Sequence, residues 1–347
     1  MFDRDAEVVR AAVARDPAYA GVDLVGPLDA MGQAPTRDDF LLAAMRAMAV
    51  AGNGHSRVIP NEAIRVCPVR IVSRGEGFVL WRDGAWRRIV AVNGRDVGAV
   101  FANLRLYLAG TEMRQRVIGA LLLAWPAALG AEVVRYALEA EEIKFGPRDL
   151  VAASVLYPVG ETGMRRVGHD DFARPGGAAV QWDGTLWRVR IADNKAVSPD
   201  VMREAAREIG SAPRAGVVVD LRGNPGGDFT RALPLIDGLR GRAGRVAVLV
   251  DRFTFSAGIV VALLSQHHVG ARIFGEEMGD GLRFWAEGGT VSLPQTGAQV
   301  RWSDGWHDWD SGHATAQTPR EIARHMVGVG GIRIAGPAAE AAAWAAG

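Results

Sequence analysis

The sequence predicts an α/β protein, and three observations carry that reading. Val217-Val218-Val219 and Val246-Ala247-Val248-Leu249-Val250 are continuous apolar, β-branched runs, the pattern of strands buried on both faces. Each is followed by a loop of small residues and then by a helical stretch, at about 228–239 and about 257–267, so strand, loop and helix alternate. Upstream, Pro199-Asp200 opens a helix reaching about Ile209, with Ser198 as N-cap and Met202, Ala205, Ala206 and Ile209 on one face.

Residues 1–52 read as helical. Asp38 to Met48 follows Thr36, an N-cap residue, with apolar side chains at helical spacing, and Gly52-Asn53-Gly54 stops that helix. Residues 57–100 read as β structure, short Val/Ile/Trp runs broken by Arg74-Gly75-Glu76-Gly77, Asp83-Gly84 and Asn93-Gly94. Helical patterning returns over about 98–130. Its apolar run Val117 to Ala131 contains Pro126 and is too short for a membrane span, so it reads as a buried helix. Residues 132–195 are mixed, with strands expected at 151–157 and 186–192. Trp81, Trp86, Trp182 and Trp187 lie in β segments and are expected in the core. The Ala-rich C-terminal tail is the one low-complexity tract.

Composition excludes several classes of function. The 347 residues, 49% hydrophobic and 23% charged, suffice for one large domain or two to three modules. Forty basic residues against thirty-nine acidic leave a net charge of +1, which points to neither nucleic acid nor an anionic membrane. Cys67 is the only cysteine, so no internal disulfide and no cysteine-rich zinc site can form. The N-terminus lacks the basic and apolar runs of a secretory signal, so the chain as written reads as cytoplasmic; removal of a signal would make it periplasmic or secreted.

Three short segments could carry chemistry. Asp220-Leu221-Arg222-Gly223-Asn224-Pro225-Gly226-Gly227 directly follows a buried strand, and its glycines can turn backbone N–H groups toward a phosphate or an oxyanion. It matches neither the dinucleotide fingerprint nor the P-loop, and turn chemistry alone makes it a tight strand-to-helix turn. Asp251-Arg252-Phe253-Thr254-Phe255-Ser256-Ala257-Gly258 places Ser256 at a helix N-terminus, either as an ordinary N-cap or as a nucleophile where the helix dipole stabilises negative charge. Gly54-His55-Ser56 offers a base. The other histidines are 169, 267, 268, 307, 313 and 325, and spacing alone does not choose among them.

The glycine-rich segment, the following strand and Thr254-Phe255-Ser256-Ala257-Gly258 together resemble the core of the C-terminal processing (tail-specific) serine peptidases. Gly275-Glu276-Glu277-Met278-Gly279 adds to the likeness. Gly54-His55-Ser56 resembles the histidine motif of the branch that includes the tricorn core protease, and Ile89 to Val97 resembles the end of a PDZ-like module. The resemblance spans roughly residues 40–300. It implies a crotonase-like, ClpP-like core of β-β-α units, with an N-terminal helical segment at 1–56 and a small PDZ-like β module plus helix at 57–130. The α/β catalytic core with its C-terminal tail would occupy 131–347.

By the same resemblance, Ser256 takes the nucleophile position, and the N–H groups of Ala257 and of Gly226 or Gly227 take the oxyanion hole. Family members use either a lysine after the serine or an upstream histidine. Here the only lysines are Lys144 and Lys195, both before Ser256, which leaves His55 as the base. The sequence also departs from the family. Asn53 stands where the histidine branch often has aspartate, Gly54 where the tricorn type has serine, and Ile259 where a glutamate is common. The acid that would orient His55 is open among Glu276, Glu277, Asp308 and Asp310.

Trp306 to His313 contains two imidazoles and two carboxylates, but not at helical spacing and with no second cluster, so it reads as a polar loop at the cleft and no metal is expected. The expected function is a serine-dependent peptide hydrolase acting by acyl transfer without a cofactor, on a peptide or unfolded protein. Homo-oligomerisation stays open. The alternative is a weak or inactive relative that binds peptides or small apolar ligands in the same cleft; an acyl-CoA enzyme of the crotonase type ranks third.

Overall fold

A computed structural model describes residues 1–60, 64–154, 157–158 and 178–347. The chain divides into two compact units, Met1–Met164 with Phe284–Trp306, and Arg165–Arg283 with His307–Gly347.

The first unit opens with three helices, Asp3–Arg15 (α1), Val25–Gly32 (α2) and Arg37–Ala49 (α3). Thr36 caps α3 as expected, its hydroxyl accepting from Asp39 N at 3.1 Å, and Gly52 at φ +69° ends the segment. Strands follow at Arg57–Ile59 (β1), Arg65–Val66 (β2), Arg70–Arg74 (β3), Gly77–Arg82 (β4), Ala85–Val92 (β5) and Arg95–Asp96 (β6). The Asp83-Gly84 and Asn93-Gly94 turns both have positive φ at both residues, the backbone that tight hairpins require.

Helices Val97–Leu104 (α4) and Glu112–Ala124 (α5) come next. The expected buried helix is the second half of α5: Leu122 and Leu123 are fully buried, and the helix stops ahead of Trp125-Pro126. Strands Val134–Leu138 (β7) and Glu142–Phe145 (β8) extend the antiparallel sheet to the order β3-β4-β5-β7-β8, with β6 paired to β5. Of the strand expected at 151–157, the described part is Val151–Ser154 (β9) and Tyr157–Pro158 (β10).

The second unit is built on a five-stranded sheet. Strands Ala178–Trp182 (β11) and Leu186–Ile191 (β12) form an antiparallel hairpin. Helix Pro199–Gly210 (α6) leads to Gly216–Asp220 (β13), helix Leu233–Leu239 (α7), Val246–Val250 (β14), helix Ala257–Val269 (α8) and Arg272–Gly275 (β15). β12 to β15 are parallel neighbours, and Val219 stands directly beside Val248, so the two valine-rich runs are central strands. Ser198 caps α6, accepting from Asp200 N. Because β13 and β14 are adjacent and parallel, the loops leaving their carboxyl ends lie side by side, where α/β sheets bind ligands.

Two strand pairs complete the molecule. Arg283–Ala286 (β16) pairs with Gly305–Asp308 (β19), and each carries the chain between units; Gly289–Ser292 (β17) pairs with Gln299–Trp302 (β18), and β18 pairs on its other side with β1. The Ala-rich end closes with helix Ala341–Ala346 (after the short Arg320–Ala323 helix), and Ala341 and Ala345 pack on Val218, Ala247, Leu249 and Phe274 of the sheet. Gly216 permits that approach, since a Cβ there would lie 2.1 Å from Ala345 O. Among the described residues no helix is long and apolar enough to cross a membrane.

The tryptophan expectation needs correcting. Trp81 is 37% exposed and Trp182 43% exposed. Each flanks a hairpin turn and pairs across strands, Trp81 with Trp86 at 5.1 Å and Trp182 with Trp187 at 5.3 Å. Such aromatic pairs stabilise a hairpin without needing a core position.

Candidate active site

The site is built where the β13 and β14 loops meet. Ser256 is the N-cap residue of α8 by position, yet its side chain makes no capping bond. Its backbone stands at φ +53°, ψ −124°, a region that L residues with a Cβ avoid. Such strain is expected where a sharp strand-to-helix turn presents a serine hydroxyl, as in the nucleophile elbow. The residue is half-buried, at the positive end of a thirteen-residue helix.

Gly226 presses directly against it. A Cβ on Gly226 would lie 2.7 Å from Ser256 Cβ and 3.2 Å from Ala257 N. Gly226 and Gly227 hold φ of +104° and +126°, values open to glycine and strained for other residues. The structure therefore brings Ser256, Ala257 and the Gly226-Gly227 turn together in one unit. It also separates the two glycines by role: Gly226 N donates to Asn224 Oδ1 at 2.9 Å, whereas the N–H groups of Gly227 and Ala257 donate to none of the described residues. Lys195 lies over the same turn, its Cγ 2.8 Å from where a Gly227 Cβ would be.

The two loops are pinned to each other by residues that drew no separate role from the sequence. Asp251, 9% exposed, accepts from Gly223 N on the neighbouring loop and from Phe253 N and Thr254 N on its own. Burial pushes its carboxyl above the ordinary range, against these hydrogen bonds. Thr254 Oγ1 donates to Leu221 O, and Phe255 N to Asn224 O. Ile259 is fully buried in α8, so a glutamate at that position would be a buried charge.

Ahead of the glycine turn stands Asp220, which accepts from Arg190 Nη1 at 2.9 Å and Arg222 Nη2 at 2.7 Å. Burial raises its carboxyl, but the Arg222 hydrogen bond and the Arg190 and Arg222 charges outweigh that and hold it below 3.8. A depressed carboxyl contributes stability above its unfolded value and loses it as pH falls through the folded one. The melting temperature is thus expected to fall as pH drops below about 4. Asp220→Asn, less stable by about 1–3 kcal/mol at neutral pH, is expected to converge on the wild type in a pH series of thermal melts.

Three of the four acids considered for orienting His55 make ion pairs with arginines. Glu276 pairs with Arg252 at 2.8 Å; Asp308 and Asp310 share Arg283, at 3.3 and 3.0 Å. Asp308 further accepts from Ser311 N and Oγ, and Glu277 is exposed. In the Trp306–His313 segment Trp309 and His307 are buried, and His307 Nδ1 accepts from Trp309 Nε1.

His55 belongs to the first unit. It is 2% exposed, and its ring stacks on Phe284 at 4.9 Å and 19°. Around the motif runs a buried polar chain that the sequence did not disclose. Asn53 Nδ2 donates to Ser56 Oγ at 2.7 Å, Ser56 Oγ donates to Asp16 Oδ2 at 2.5 Å, and Ser303 N donates to the same oxygen at 2.9 Å. Asp16 thus lays a carboxylate against Ser56 of the histidine motif. No sequence signal links it: Asp16 ends α1 far along the chain from both Ser56 and Ser303.

No family model and no curated protein matches the chain. Solved structures do. The chain is similar to mature CPAF complexed with lactacystin, with 11% identity over 87% of this chain and 89% of that one and a TM-score of 0.58. A second structure of mature CPAF gives 12%, 87%, 88% and 0.57. A photosystem II D1 C-terminal processing protease is also among the neighbours, at 17% identity over 86% of each chain and a TM-score of 0.41. The fold of this chain is similar to that of mature CPAF.

Proposed function

We propose that this chain is a serine-dependent peptide hydrolase of the C-terminal processing type, working by acyl transfer. The observation that carries the reading is Ser256, held in a strained conformation at a helix N-terminus with its side chain making no capping bond, beside the N–H groups of Gly227 and Ala257, which donate to none of the described residues. The shared fold with mature CPAF supports it. In the reaction, His55 takes the Ser256 proton as Oγ bonds to a peptide carbonyl carbon, and the N–H groups of Ala257 and the Gly226-Gly227 turn hold the oxyanion. The C–N bond then breaks, His55 returns the proton to the leaving amine, and water hydrolyses the acyl-enzyme.

In this reading residues 131–347 form a crotonase-like catalytic core, 57–130 a PDZ-like module and 1–56 the segment that delivers His55. The substrate is an unfolded polypeptide or peptide. A fluorophosphonate tests the proposal, because only an activated hydroxyl reacts: peptide mapping is expected to find the phosphonyl group on Ser256. Unlabelled protein after prolonged exposure would instead favour a peptide-binding relative.

A further inference from the structure

We infer that Asn224 is a positioning residue of this site, one that sets the gap between the oxyanion donors and the nucleophile; the inference rests on the peptidase reading above. Asn224 is fully buried in the middle of the glycine-rich turn. Its side chain spans three pieces of chain. Nδ2 donates to Ile191 O at the end of β12, at 3.0 Å, and to Asn194 Oδ1 in the next loop, at 2.5 Å. Oδ1 accepts from Gly226 N at 2.9 Å. Because Ile191 O can only accept and Gly226 N can only donate, the orientation of the amide is fixed by its partners.

The backbone of the same residue reaches the nucleophile loop. Asn224 O accepts from Phe255 N, the residue before Ser256, at 2.9 Å. Gly258, in the first turn of α8, sits so close that a Cβ there would lie 3.1 Å from Asn224 O and 3.2 Å from its side-chain amide. Asn194 N in turn donates to Gly226 O, which locks the third loop onto the turn. One residue thus holds Gly226 with its side chain and Phe255, next to Ser256, with its backbone carbonyl. By engaging Gly226 N–H it leaves Gly227 N–H and Ala257 N–H as the pair facing a developing oxyanion. A displacement of about 1 Å between such donors and a nucleophile is enough to cost on the order of 100-fold in rate.

The test uses Asn224→Asp, which keeps the shape and the acceptor for Gly226 N but turns the donor into a charged acceptor facing Ile191 O and Asn194 Oδ1. On protonation the carboxyl regains a donor. The rate of fluorophosphonate labelling of Ser256 is measured for the full-length wild type and N224D from pH 8 to pH 5, with thermal melts to show that both are folded. We expect N224D to be about tenfold slower or more at pH 8 and to close on the wild type toward pH 5. Taking the ratio at each pH cancels any titration of the general base. Equal rates throughout, or a deficit that stays constant with pH, would overturn the inference while leaving the peptidase reading intact. A wild type that does not label at all overturns that reading instead. Should N224D not fold, Asn194→Ala removes one of the two acceptors of the Asn224 amide, and labelling about threefold slower is expected; an unchanged rate overturns the role.

Discussion

Replacing Ser256 with glycine is expected to abolish peptide hydrolysis and fluorophosphonate labelling, by about 10⁴-fold or more, and at the same time to raise the melting temperature. The two effects have one cause. At φ +53°, ψ −124° the Cβ of Ser256 crowds its own backbone, and a conformation of this kind costs about 1–3 kcal/mol. Glycine occupies it without strain. For a unit of this size each kcal/mol moves the melting temperature by about 2–4 °C. Ser256→Ala separates the two contributions: it removes the hydroxyl but keeps Cβ, so it is expected to be equally inactive and to melt near the wild type. If the glycine variant melted no higher than the alanine variant, the strain at Ser256 would not be a stored cost of presenting the nucleophile. An active Ser256→Ala would end the serine mechanism itself.

How far the sequence reaches is seen residue by residue. The central strands were legible because Val217-Val218-Val219 and Val246 to Val250 are apolar on both faces, a pattern that depends on nothing distant. The Ser198 and Thr36 caps were legible for the same local reason. The Asp83-Gly84 and Asn93-Gly94 turns announced themselves through residues that tolerate positive φ. Ser256 was legible only as a choice between cap and nucleophile, since both roles need a serine at a helix start; that its side chain makes no capping bond is visible only in the structure.

What stayed hidden depends on partners far along the chain. Asp16 meets Ser303 across 287 residues, and no period or motif connects a helix-ending Asp-Pro to a loop after β18. Asn224 lay inside a motif already singled out, but an asparagine between glycines reads as a turn former. Its link to Ile191, 33 positions earlier, exists only once β12 and β13 are adjacent. The exposed Trp81 and Trp182 show the same limit from the other side: hydrophobic character predicted burial, whereas cross-strand pairing beside a turn set their position.

The glycine turn gives the second large expected effect. Gly227→Ala meets two obstacles at once, a backbone at φ +126° and a Cβ placed 2.5 Å from Lys195 N and 2.7 Å from Asn194 C. Both neighbours are main-chain atoms held by the Asn194–Gly226 bond, so neither can swing aside as a flexible side chain would. The turn must open, which moves the N–H that the proposed mechanism assigns to the oxyanion. Losing one such donor costs about 10²–10³-fold in acyl transfer, to be read as a fall in kcat rather than a rise in KM for a peptide substrate. Gly241→Ala supplies the comparison: its φ is +70° and nothing lies within 4 Å of its Cβ, so that variant carries backbone strain without a collision. It is expected to lose about 1 kcal/mol of stability and no activity. Equal activity in both variants would mean that Gly227 only completes a turn, and would remove its N–H from the oxyanion site.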